Sequence, residues 1–129
     1  MVKEVINTGR PPTGSPFSSG IKTEQFIFLS GKVGDKNPDT GEEVRGIEAQ
    51  TRQCLEIIKE TLEAAGASLS DVVSATVYLP NMNDFSKMNE AYREYFPKDP
   101  PARATVCASL VSPSILVEIQ CIAVCSSGQ

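Results

Sequence analysis

Apolar residues in this chain recur at two different periods, and each change of period marks an element. From Ile47 to Ala65, the residues Ile47, Thr51, Cys54, Leu55, Ile58, Leu62 and Ala65 return at steps of three and four. That spacing predicts an amphipathic helix with one buried stripe, and Gly66 stands where a left-handed C-terminal cap is expected. Val72 to Leu79 alternates instead, with Val73, Ala75, Val77 and Leu79 on one side and Val72, Ser74, Thr76 and Tyr78 on the other. Pro80 ends this strand. Asn83 or Asp84 then caps a second helix, whose stripe is Phe85, Met88, Tyr92 and Tyr95, and Pro97 and Pro100-Pro101 stop it.

Upstream, Phe26-Ile27-Phe28-Leu29 reads as a buried strand ending at Ser30-Gly31. Before it lie a short apolar stretch at Val5 and Ile6 and the turn-rich Gly9-Arg10-Pro11-Pro12-Thr13-Gly14-Ser15-Pro16, an ordered loop whose direction Pro16 passes to Phe17. Residues 34–46, with Gly34, Asn37-Pro38-Asp39-Thr40-Gly41 and Gly46, form a second loop. Two strands close the chain, Arg103–Leu110 and Ile115–Val124, and the short Val111-Ser112-Pro113-Ser114 loop favours an antiparallel hairpin. Symmetric pairing about that loop sets Cys107 opposite Glu118. Parity then gives an apolar face (Ala104, Val106, Ala108, Leu110, Val117, Ile119, Cys121, Ala123) for the helices to cover. The other face holds Arg103, Thr105, Cys107 and Ser109 with Leu116, Glu118, Gln120 and Ile122. That second face is too apolar to be wet and too polar to be core, which points to a subunit interface with pockets in it. The fold class expected is α+β: a two-layer sandwich with two helices on one face of a mixed sheet.

Composition narrows the function. A chain of 129 residues is expected to be one domain spanning 1–129, and 40% apolar with 22% charged residues is ordinary for a globular protein. No apolar run reaches the length of a membrane span, and Met1-Val2-Lys3-Glu4-Val5 has no signal-peptide core, so a cytoplasmic location is the expectation. A net charge of −4 and the absence of Lys/Arg runs argue against general nucleic-acid binding. Four cysteines (Cys54, Cys107, Cys121, Cys125) show no C-x-x-C pair and are expected to be reduced. The chain has no histidine, which removes Ser-His-Asp and Cys-His nucleophile pairs and H-E-x-x-H zinc sites. Acid–base chemistry here falls to carboxylates, Lys, Tyr, Cys, backbone groups or water.

Two residues then stand out. Arg103, opening a strand after Pro100-Pro101, can present its planar fork to both oxygens of a small carboxylate. Glu118 sits inside an apolar strand, where an unpaired carboxylate is costly. The stretches Pro101-Ala102-Arg103-Ala104-Thr105-Val106 and Val117-Glu118-Ile119-Gln120-Cys121-Ile122-Ala123, with Phe28-Leu29-Ser30-Gly31, Asn81-Met82-Asn83-Asp84-Phe85 and Met88-Asn89-Glu90-Ala91-Tyr92, together resemble the RidA/YjgF family of reactive-intermediate deaminases over nearly the whole chain.

The resemblance implies a chorismate-mutase-like fold assembled as a homotrimer, with sites in the clefts between subunits and no cofactor or metal. It implies hydrolysis of 2-enamine and 2-imine intermediates, such as 2-aminoacrylate from pyridoxal-phosphate-dependent dehydratases, to 2-keto acids and ammonia. Arg103 matches the family's carboxylate clamp and Glu118 the carboxylate that positions or activates water. Phe17, Ser30, Gly31, Asn89 and Cys107 match substrate-pocket positions. One departure stands out: the family's Pro-Tyr-Ser-Gln is Pro16-Phe17-Ser18-Ser19 here, losing a phenol and an amide. The chemistry suits the residue types, because an imine carbon is already electrophilic and needs only an oriented water. A non-catalytic trimer that binds small 2-keto acids in the same cleft uses Arg103 identically. A ribonuclease or translation inhibitor, also described within the family, fits the acidic balance and missing histidine poorly.

Overall fold

The structure is a computed structural model that describes residues 2–11 and 13–125; Met1 and Pro12, named above, lie outside the described residues. Four short strands come first: β1 (Glu4–Val5), β2 (Gly20–Lys22), β3 (Phe26–Leu29) and β4 (Lys32–Val33). They are followed by α1 (Ile47–Ala64), β5 (Val72–Leu79), α2 (Phe85–Tyr95), β6 (Ala102–Cys107) and β7 (Glu118–Val124). The architecture is α+β, as expected. A mixed sheet in the order β1-β2-β3-β7-β5-β6, with β4 also on β7, carries the core residues that α1 and α2 cover.

The stripe of α1 is confirmed, and that of α2 in part: Phe85 is exposed and Tyr95 only half-buried. Ile47, Thr51, Cys54, Leu55, Ile58 and Leu62 are buried, and so are Met88 and Tyr92. Gly66 has φ 83°, and the Lys22 ammonium donates to the Ala65 carbonyl at 2.9 Å, satisfying one of the orphan carbonyls of α1. Gln50, a polar residue on the buried face of α1, is held by three bonds. Its amide donates to the Val44 and Ser114 carbonyls and accepts from the Leu116 amide, knitting two loops to the helix. Before α2, the Asn81 side chain caps a short 3₁₀ turn by accepting from the Asn83 amide; neither Asn83 nor Asp84 makes a side-chain cap bond to α2.

Residues 4–5 and 20–22 add two short strands on either side of the loop expected at Gly9 to Pro16, and β1 pairs with β2 antiparallel. Two expectations are corrected. In β3 only Ile27 and Leu29 are buried, while Phe26 and Phe28 lie on the uncovered face. The terminal hairpin does not form: β6 pairs in parallel with β5, and β7 pairs antiparallel with β5, which lies between them. The reason lies upstream of the Ser112-Pro113 turn. A strand, a helix and a strand in succession over residues 72–107 make a β-α-β unit, whose two strands run side by side in parallel. Cys107 therefore sits opposite Leu79, and Glu118 opposite Tyr78.

That pairing also reverses the parity of β6. Ala75, Val77 and Leu79 are buried beneath the helices, and they neighbour Arg103, Thr105 and Cys107. Ala104 and Val106 take the open face instead. The parity of β7 stands, with Ile119, Cys121 and Ala123 buried. In β5 a register irregularity between Val72 and Ser74 turns Val72 inward and leaves Val73 exposed.

Gly34 marks the tightest approach of the strand layer to α1. A Cβ there would meet the Gln50 carbonyl and would lie 2.7 Å from the Cys54 amide nitrogen. Both neighbours are helix backbone and cannot yield cheaply. Gly34→Ala is expected to destabilise the fold by about 3 kcal/mol, seen as a lower urea midpoint with an unchanged slope.

Candidate functional site

Arg103 stands near the start of edge strand β6, directly after Pro100-Pro101. Its neighbour across the strand is Ala75, small and buried, so the arginine stem can pass over a methyl group toward α2. There the guanidinium carbon lies 4.7 Å from the centroid of the Tyr92 ring and 5.9 Å from that of Phe85. Among the described residues no carboxylate pairs with Arg103, which leaves its charge uncompensated. It lines a pocket of about 280 Å³ with Asn89, Tyr92 and Phe96. The Asn89 side-chain oxygen is buried without a hydrogen bond. A half-buried guanidinium with no carboxylate partner among the described residues is suited to a small anion, and the orphan Asn89 oxygen, an acceptor, is suited to a donor group on the same ligand or to a water.

Glu118 opens β7 on the opposite face of the sheet, across from Tyr78 and Val33. Its carboxylate makes no hydrogen bond or ion pair among the described residues. It lies against Gly31 so closely that any side chain at position 31 would run into it. The adjoining Ser30 hydroxyl donates to the Ser18 carbonyl at 2.5 Å and its amide to Ser19 O at 3.1 Å. The Lys32 ammonium also donates to Ser19 O, at 2.9 Å, and burial lowers its pKa from the ordinary lysine value. These bonds hold the Ser18–Ser19 segment beside Glu118 and leave the adjoining Phe17 66% exposed.

Within one chain the two groups do not meet. Ala75 and Tyr78, the partners of Arg103 and Glu118, are three residues apart on β5, while β6 and β7 flank that strand. The backbones of Arg103 and Glu118 are thus about 14 Å apart, and their side chains leave opposite faces. The shared face expected for Arg103, Cys107 and Glu118 is thereby corrected. Asn89 goes with Arg103, whereas Ser30 and Gly31 go with Glu118. Cys107 belongs to neither cluster: it is exposed at the end of β6 and its thiol donates to Pro80 O at 3.6 Å.

All four cysteines are free. Burial pushes the Cys54 thiol far up and that of Cys121 up to about 12, so neither supplies a thiolate near neutral pH. No cluster of metal-ligating side chains occurs among the described residues, and no helix is long and apolar enough to cross a membrane. Two contributors escaped the sequence reading. Tyr92 is buried in the core as its place in the α2 stripe predicts, and its contact with the Arg103 guanidinium is what the stripe does not show. Lys32 carried no signal, because its partner is a backbone carbonyl.

Residues 8–125 match the family described as Endoribonuclease L-PSP. A RutC family protein of Pyrococcus horikoshii is 51% identical over 95% of this chain and 98% of its own length. The 2-iminobutanoate/2-iminopropanoate deaminase of Bos taurus is 36% identical over 96% of this chain and 91% of its own. The structure of E. coli TdcF with bound serine superposes with a TM-score of 0.85 at 30% identity, covering 94% of this chain and 98% of that one.

Proposed function

The chain belongs to the Endoribonuclease L-PSP family, also known as RidA/YjgF, and from that premise we propose that it is a hydrolytic deaminase of 2-imino and 2-enamino acids acting as a cytoplasmic homotrimer. One observation carries the reading. Arg103 and Glu118 are both half-buried, both without an ion-pair partner among the described residues, and too far apart in one chain to share a three- or four-carbon substrate. Brought together from two copies, they make one site with a carboxylate clamp and a water-handling base. The uncovered sheet face supports such an assembly. It carries Phe26, Phe28 and Val106, each more than a third exposed, together with Glu118 and Gln120.

In this site Arg103 grips both carboxylate oxygens and fixes the imine carbon in place. Glu118 takes a proton from a water whose oxygen bonds to that carbon and returns it to the imine nitrogen, giving a carbinolamine. The carbinolamine then collapses: its hydroxyl proton passes through Glu118 or water to the amino nitrogen, the C–N bond breaks, and the 2-keto acid and ammonia leave. An enamine first takes a proton at its terminal carbon from a water held by Glu118. The Gly31 backbone, with no side chain, leaves room for the carboxylate, and Ser30 holds the strand end.

Phe17 and Ser19 give a second reading its footing. Without the phenol and amide of the family pattern, the cleft could bind 2-keto acids and not turn over. Nuclease activity lacks comparable support: acidic residues number 16 against 12 basic ones and there is no histidine. A coupled assay tests the proposal. A threonine dehydratase generates the imine, semicarbazide competes for it, and keto-acid formation is followed. Acceleration by the protein is expected. Saturable 2-oxobutanoate binding with no acceleration would favour the second reading.

A further inference from the structure

We infer that Tyr92, supported by Phe85 and Phe96, is the positioning residue for Arg103: α2 presents an aromatic rack that fixes the plane of the guanidinium before a substrate arrives. The inference rests on the proposed role of Arg103 as carboxylate clamp.

Phe85, Asn89 and Tyr92 follow at steps of four and three, which sets them along one side of α2, and Phe96 is the residue directly after the helix. Phe96 lies 4.9 Å from Tyr92 between ring centroids, and both residues are 6% exposed, so the Tyr92 ring is itself held by packing. The guanidinium lies closer to Tyr92 than to Phe85. An arginine on an edge strand has ample freedom to swing into solvent. With no carboxylate among the described residues to hold it, the rings are what restrain it, and a ring face restrains a guanidinium without occupying its N–H fork. A carboxylate in the place of Tyr92 would restrain it equally but would use up the charge the substrate needs. Burial pushes the Tyr92 hydroxyl up to about 12 against the opposing pull of Arg103, so the ring stays neutral. An arginine already in place loses less freedom on binding, which lowers the cost of capture.

The test compares Tyr92→Phe, which keeps the ring, with Tyr92→Leu, which removes it. The first is expected to stay within about twofold of wild type in KM. The second should raise KM about tenfold with kcat changed less than about threefold. A readout free of catalysis accompanies it: the Arg103 Nε–Hε proton, observed by NMR, should be ring-current shifted in wild type and Tyr92→Phe and relax toward the free arginine position in Tyr92→Leu. An unshifted Arg103 signal in wild type would overturn the inference, as would equal KM in both variants. Should Tyr92→Leu not fold, Phe85→Leu at the exposed start of α2 takes its place, with an expected KM rise of about threefold and a partial loss of the shift; no change in either would count against the rack. A wild-type protein that hydrolyses no imine would sink the deaminase proposal instead, and the NMR comparison would still decide the place of Tyr92.

Discussion

Arg103→Ala is expected to raise KM for a 2-imino acid by about a hundredfold or more while leaving the protein folded. Removing one partner of a desolvated, bidentate charge pair costs about 2–5 kcal/mol, which corresponds to a factor of roughly 30 to several thousand in affinity. The fold loses much less. Arg103 takes part in no ion pair among the described residues and stands on an edge strand, so only its contact with Tyr92 and Phe85 disappears. That contact is worth about 0.5–2 kcal/mol. Arg103→Lys should recover little, because an ammonium restores the charge but not the fork that matches two carboxylate oxygens. The dehydratase-coupled assay reads KM, and thermal unfolding reports the fold. Unchanged KM in Arg103→Ala would remove the residue from the site.

Glu118→Gln should act on the other kinetic constant. The amide has nearly the shape of the carboxylate and keeps the packing against Gly31, but it cannot accept a proton from water. A lost general base lowers the rate by about a hundredfold to ten thousandfold. KM should stay close to wild type, because in the proposed site the substrate's carboxylate is held by Arg103 instead. Saturation kinetics on the purified variant separate the two parameters. A rise in KM with unchanged kcat would recast Glu118 as a binding group. A gain in subunit dissociation with no kinetic defect would make it an interface ion-pair partner.

The local sequence made much of this legible, and pairing between distant strands made the rest illegible. The stripe of α1 and the Gly66 cap were readable because helical period and left-handed backbone are local properties. Arg103 and Glu118 were readable by residue type and setting. Their faces were not, because the side on which Arg103 lies depends on β6 pairing with β5, a non-local choice. Treating Val111–Ser114 as a hairpin turn gave weight to a short turn signal over the strand–helix–strand order of residues 72–107. The error mattered: it put Arg103 and Glu118 on one face of one chain. The same rule of parity, applied to the actual neighbours, parts them.

That separation makes the central claim directly measurable. In a cyclic trimer each interface joins two different patches, so each site would take Arg103 from one subunit and Glu118 from the next. Arg103→Ala and Glu118→Gln, each nearly inactive alone, are co-refolded in equal amounts and assayed together. Random assembly places an intact Arg103 beside an intact Glu118 in about one site in four, so about a quarter of wild-type activity should return. Mixed trimers, verified by native mass spectrometry, that recover no activity would contradict a site built from two copies of this chain.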